Sequence, residues 1–114
     1  MAGYLTTHVL DTAKGIPAAG LKIELFVIIE GRREQRAELT TNADGRTDRP
    51  ILPEPVFSQG EYELVFHAGD YLRETGQPDG FLDVIPIRFS MREASHYHVP
   101  LLLSPFGYST YRGS

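Results

Sequence analysis

The sequence contains no cysteine, and that absence removes disulfide frameworks, thiol catalysis and thiolate metal sites together. Packing and hydrogen bonding must hold the fold alone. A basic surplus is also missing: 11 Lys and Arg stand against 15 Asp and Glu, for a net charge of -4. Nucleic acid is therefore a poor partner, because phosphate binding needs a concentrated excess of Lys and Arg. Long apolar runs are absent too, none approaching the roughly 20 residues of a membrane helix. The start, Met1-Ala2-Gly3-Tyr4-Leu5, shows no basic segment leading into an apolar stretch. No targeting segment is expected, and the chain is predicted to work in the cytoplasm, away from membranes.

What is present is an every-second-residue rhythm. At 114 residues the length suits one domain, 1–114, large enough to bury a core. Leu21, Ile23, Leu25, Val27 and Ile29 share one face of a predicted strand, with Lys22, Glu24 and Glu30 on the other, a period that belongs to β structure. The same reading predicts strands at Tyr4 to Leu10, Gln35 to Thr41, Glu61 to His67, Asp83 to Phe89, Tyr97 to Leu103 and Tyr108 to Arg112, with a short eighth near Asp48 to Leu52. One short helix is expected at Asp70 to Thr75, capped by Asp70 and ended by Gly76. So many half-apolar strands need two packed antiparallel sheets, because a single sheet would leave an apolar face wet. The predicted fold is an all-β sandwich of seven to eight strands.

Several local patterns carry less. The run Arg32-Arg33-Glu34-Gln35-Arg36 reads as a solvated hairpin, and Ser90 to Ser95 as a polar connection. Thr40, Asn42, Asp44 and Gly45 faintly resemble a calcium loop, but the register puts Ile51 where a bidentate Glu belongs. His96 and His98 lie two apart on a predicted strand and point to one side, as two zinc ligands would, yet no third ligand is evident. No metal or cofactor is expected. His67 and His96 are read as ordinary hydrogen-bonded or exposed side chains.

Two layers of motif remain. Ile16-Pro17-Ala18-Ala19-Gly20, then Thr41-Asn42-Ala43-Asp44-Gly45-Arg46-Thr47, then Gly60-Glu61-Tyr62, look like the transthyretin-like sandwich pattern, which many binding domains share. Leu5-Thr6-Thr7-His8-Val9-Leu10-Asp11, His96-Tyr97-His98-Val99-Pro100-Leu101-Leu102 and the final Ser109-Thr110-Tyr111-Arg112-Gly113-Ser114 closely resemble the 5-hydroxyisourate hydrolases. Transthyretin, the hormone carrier on the same fold, does not end in this way. Together the two layers cover essentially the whole chain.

The resemblance implies a metal-independent enzyme of urate degradation towards allantoin. It would hydrolyse 5-hydroxyisourate to 2-oxo-4-hydroxy-4-carboxy-5-ureidoimidazoline. It also implies a homotetramer, a dimer of dimers, whose sites open at the dimer-dimer contact and gather His8, Arg46, His98 and the tetrapeptide Tyr111, Arg112, Gly113 and Ser114. Imidazoles exchange protons near neutrality, so His8 and His98 suit a general acid-base pair, with His98 favoured as the base. Arg46 offers planar, permanently charged donors for an oxyanion. Tyr111 could wall the heterocycle, Arg112 could anchor the tail to a carboxylate, and Ser114 brings a hydroxyl and a carboxylate. The alternative is a non-catalytic ligand-binding or adhesion module, which the fold layer equally permits.

Overall fold

The structure, a computed structural model, describes residues 3–113. Eight strands occur among them: β1 (Tyr4–Asp11), β2 (Ile16–Pro17), β3 (Lys22–Ile29), β4 (Arg32–Thr40), β5 (Gly60–His67), β6 (Val84–Met91), β7 (His96–Ser104) and β8 (Gly107–Thr110). A helix, α1 (Ala68–Glu74), links β5 to β6, and a short 3-10 turn spans Glu54–Val56. The strands make two four-stranded sheets, ordered β2-β1-β7-β8 and β4-β3-β5-β6. This is the expected two-sheet sandwich with one short helix.

The alternation explains the packing. Ile23, Leu25 and Val27 of β3 turn inward beside Tyr62, Leu64 and Phe66 of β5, with Leu25 opposite Leu64 in the ladder. From the other sheet come Leu5 and Val9 of β1 and Val99, Leu101 and Leu103 of β7, all buried. Each fully buried Leu, Ile or Phe contributes about 1.5–3 kcal/mol relative to exposure. Helix α1 is tied to the same core, since buried Tyr71 donates its hydroxyl to Asp11 Oδ2 at 2.7 Å, at the end of β1.

Four details differ from the sequence reading. Residues 48–52 do not form a strand, because Pro50 and Pro53 remove backbone donors; only Leu52 bridges, to Leu5. The eighth strand is instead the two-residue β2. The charged run from Arg32 is the first half of β4, and the hairpin turn is Glu30-Gly31, both with positive φ, 50° and 78°, as a two-residue turn between twisted strands requires. Charge on both faces hides only this first part of β4 in the sequence; β4 is an edge strand, where charge guards against unwanted pairing. The helix begins at Ala68, so Asp70 lies inside its first turn, paired with Arg73 rather than capping; Gly76 does end it.

The fourth difference matters most. β1 and β7 run parallel, in register from Tyr4 opposite His96 to Asp11 opposite Leu103, whereas the other ladders are antiparallel. Because side chains alternate, Tyr4, Thr6 and His8 come to one outward face together with His96 and His98.

Candidate active site

The parallel register sets Thr6 directly opposite His98 and Tyr4 opposite His96. Thr6 Oγ1 lies 2.7 Å from His96 Nε2 and 2.8 Å from His98 Nδ1, so one hydroxyl joins two imidazoles. The His96 ring stacks on Tyr4, with centroids 4.1 Å apart and planes within 7°. His8 completes the group, its ring centroid 6.4 Å from that of His98.

Arg46 arrives from the turn between β4 and the proline-rich connection. Asn42 Oδ1 accepts the N–H groups of Asp44 and Arg46, at 2.9 and 3.2 Å, and Gly45 N–H donates to the Asn42 carbonyl. The turn is clamped to β1, since Val9 N–H donates to the Gly45 carbonyl at 2.8 Å. Gly45 has φ +75°, and a Cβ there would fall 2.4 Å from the Val9 carbonyl oxygen; only glycine fits. This docking brings Arg46 into bridge pairing with His8. The Asp44-Gly45 turn thus positions the site as well as closing the sandwich. His8 Nε2 sits 2.9 Å from the Asp44 carbonyl oxygen, and a carbonyl only accepts. Nε2 therefore carries the proton, and neutral His8 keeps its lone pair on Nδ1.

Tyr4, Thr6, Arg46, Arg49, His96 and His98 border a cleft of about 440 Å³, within the size range of small-ligand sites. Among the described residues no carboxylate pairs with Arg46. Asp48 at the rim accepts from Asn42 Nδ2 instead. Burial pushes the His98 imidazole below its ordinary value, and the charges of Arg46, His96 and His8 press the same way. His98 is therefore neutral near pH 7 and can accept a proton.

The tail divides. Thr110 Oγ1 donates to the Pro100 carbonyl, and Gly113 N–H donates to the His98 carbonyl at 2.7 Å. A Cβ on Gly113 would stand 2.7 Å from His98 Cδ2, so the missing side chain is what lets the tail lie against the imidazole. Tyr111 and Arg112 turn to a second groove, about 530 Å³, between the β6 and β7 edges beside Phe89 and Tyr97. Arg112 lies 4.2 Å over the Tyr97 ring and 3.4 Å from Ser95 Oγ, and pairs with no carboxylate among the described residues. Ser114 lies outside the described residues. Of the sequence candidates, then, His8, Arg46, His98 and Gly113 are brought together, while Tyr111 and Arg112 face away within one chain.

Sequence reasoning passed over Tyr4, Thr6 and His96. The signal was the shared face of His96 and His98. It needed the β1-β7 pairing to become meaningful, and no residue pattern states that pairing.

A sandwich whose outward β1-β7 face gathers imidazoles around a guanidinium with no carboxylate partner among the described residues matches a known protein class. The profile of the HIUase/Transthyretin family covers residues 5–113, and the chain belongs to that family. Within it, the 5-hydroxyisourate hydrolase of Mesorhizobium japonicum is 61% identical over 115 residues, 98% of this chain and 93% of the relative. The solved structure of Klebsiella pneumoniae 5-hydroxyisourate hydrolase superposes with a TM-score of 0.83 at 37% identity, over 97% of this chain and 99% of that one. An (S)-allantoin synthase structure gives a TM-score of 0.90 at 42% identity; it covers 98% of this chain, which spans only 44% of the synthase.

Proposed function

We propose that this chain is a 5-hydroxyisourate hydrolase, in which His98 takes a proton from water as the resulting hydroxide attacks the ring carbonyl. The observation that carries the reading is the cleft itself. In it a neutral imidazole faces a guanidinium that no carboxylate among the described residues quenches, in a chain 61% identical to a named hydrolase of that substrate. A general base must be unprotonated at working pH, and burial together with neighbouring cations keeps His98 so. Arg46 receives the negative charge that grows on the carbonyl oxygen. Donors already fixed in a cleft stabilise that charge without reorganising during the reaction.

His8 orients the water. With its Nε2 proton committed to the Asp44 carbonyl, its Nδ1 lone pair can accept the second hydrogen of the attacked water. Gly113 holds the tail against His98, and Arg112 anchors that tail over Tyr97. Ser114, outside the described residues, joins the substrate-binding residues on the resemblance of the terminal motif alone. Tyr111, exposed and turned from its own cleft, reaches substrate only from across a subunit contact, which fits the homotetramer with sites at the dimer-dimer interface. The product is the ring-opened carboxy-ureidoimidazoline, and no cofactor takes part.

Freshly generated 5-hydroxyisourate is the test. Its ultraviolet absorbance should decay faster with the purified protein than without, and an unchanged decay would leave a binding module. Light scattering that found a fully active monomer would refute the tetrameric site. A Ser114 deletion with the parent rate would remove the last residue from it.

A further inference from the structure

We propose that Thr6 and His96 are positioning residues that work with His98 as one proton relay, His96–Thr6–His98. The inference rests on the reading of His98 as the base. Two hydrogen-bond arrangements satisfy the Thr6 hydroxyl, which has one proton to give. If it donates to His98 Nδ1, the neutral His98 ring must carry its proton on Nε2 and presents no lone pair to a water there. If it donates to His96 Nε2 and accepts from His98 Nδ1–H, the Nε2 lone pair of His98 is free. Only the second arrangement makes a base, and His96, 2.7 Å from the same oxygen, is the acceptor that allows it.

The same contacts can move charge. When His98 Nε2 takes a proton from water, its Nδ1 proton passes to Thr6 Oγ1, and the Thr6 proton passes to His96 Nε2. The positive charge then rests on His96, while His98 is left neutral with a proton on Nε2. Arg46 and His8 oppose charge on His98, and Arg49 and Asp48 line the same cleft. His96 lies parallel on the Tyr4 face at 4.1 Å, where a cation is favoured by the ring's negative face. Reversing the transfers returns a proton to His98 Nδ1 and lets Nε2–H go to the departing ring nitrogen. Every proton is accounted for: water supplies one, and the leaving nitrogen receives one. One imidazole thus serves as base and then as acid, which frees His8 to orient the water.

Thr6→Val keeps the side-chain shape and removes the hydroxyl. We expect kcat to fall about 10- to 100-fold with KM within about twofold, less than the roughly 10⁴-fold cost of a wholly wrong tautomer at a catalytic histidine. Thr6→Ser should recover most of the loss, and His96→Phe, which keeps the stack on Tyr4, should resemble Thr6→Val. Nitrogen-15 NMR of the histidines in the parent should find neutral His98 protonated on Nδ1, and Thr6→Val should shift it towards the Nε2–H form. This readout needs no turnover and is insensitive to a mere loss of packing. A parent His98 protonated on Nε2, or a folded Thr6→Val enzyme with the parent kcat, would overturn the relay. His98→Ala separates the two readings: if it kept full activity the base assignment itself would fall. If it were inactive while Thr6→Val matched the parent, only the relay would.

Discussion

The outward faces of the two sheets both carry histidine, arginine and neighbours that could pair with them, yet they treat charge in opposite ways. On the β4-β3-β5-β6 sheet, Glu63 takes Arg33 at 3.0 Å and Arg88 at 3.2 Å, and His67 Nε2 lies 2.7 Å from Glu24 Oε1. On the β1-β7 face, Arg46 stands among imidazoles with no carboxylate partner among the described residues. Pairing lowers the electrostatic cost of a partly buried charge, so the first face stabilises itself. A cation without such a partner gives up that compensation, and its cluster with titratable groups in a cleft is where chemistry is expected. The difference separates framework from site without any appeal to motif.

The comparison breaks first at His98. His98→Ala should lower kcat/KM about 10³-fold, near 4 kcal/mol of transition-state stabilisation, as loss of a general base does. Circular dichroism and thermal melts should stay near the parent. Arg46→Ala comes next, with kcat down about 100-fold for the loss of one oxyanion donor. It also carries a pH signature. Protonated His98 cannot act as a base, so kcat/KM must fall as pH drops through its ionisation, and burial with Arg46 places that midpoint below the usual imidazole value of about 6.5. Removing Arg46 takes away one depressing charge, so the residual activity should show its acid limb at higher pH. An unmoved limb would mean that Arg46 does not act on His98.

Gly113→Ala should have an intermediate effect. The added methyl would meet His98 Cδ2 at 2.7 Å, so either the tail or the imidazole must shift. A loss of about 10-fold in kcat/KM with unchanged oligomeric state is expected, since small misplacements at a catalytic group are costly. Parent-like kinetics would show that the tail gives way without disturbing the ring.

These residues also show what a sequence can disclose. The inward faces were legible because Ile23, Leu25, Val27, Tyr62, Leu64 and Phe66 repeat with the pleat. The charged half of β4 was not, since an exposed edge strand has no buried face to impose a rhythm. His8, Arg46 and His98 came from motif resemblance, since an Arg that follows a turn is by itself ordinarily solvated. Thr6 and His96 stayed hidden because alternation fixes which face a residue takes and says nothing of which strand lies beside it. A parallel neighbour 92 residues away is a property of the packed chain.

On the paired face, Glu63→Gln should leave activity within about twofold while lowering stability by about 1 kcal/mol. Arg33 and Arg88 are half exposed, at 48% each, so water replaces part of what the carboxylate supplied. The smallest effect belongs to His67→Gln, and it is the strictest control. The Glu24 carboxylate would keep a side-chain donor, and both partners are about one-fifth exposed, so a stability change under about 0.5 kcal/mol is expected in a thermal melt. Turnover of 5-hydroxyisourate should match the parent. His67 and His98 are both partly buried, and both are held by a hydrogen bond from a neighbouring strand; what distinguishes them is the partner. If His67→Gln slowed turnover as His98→Ala does, pairing with a carboxylate would no longer mark a histidine as framework.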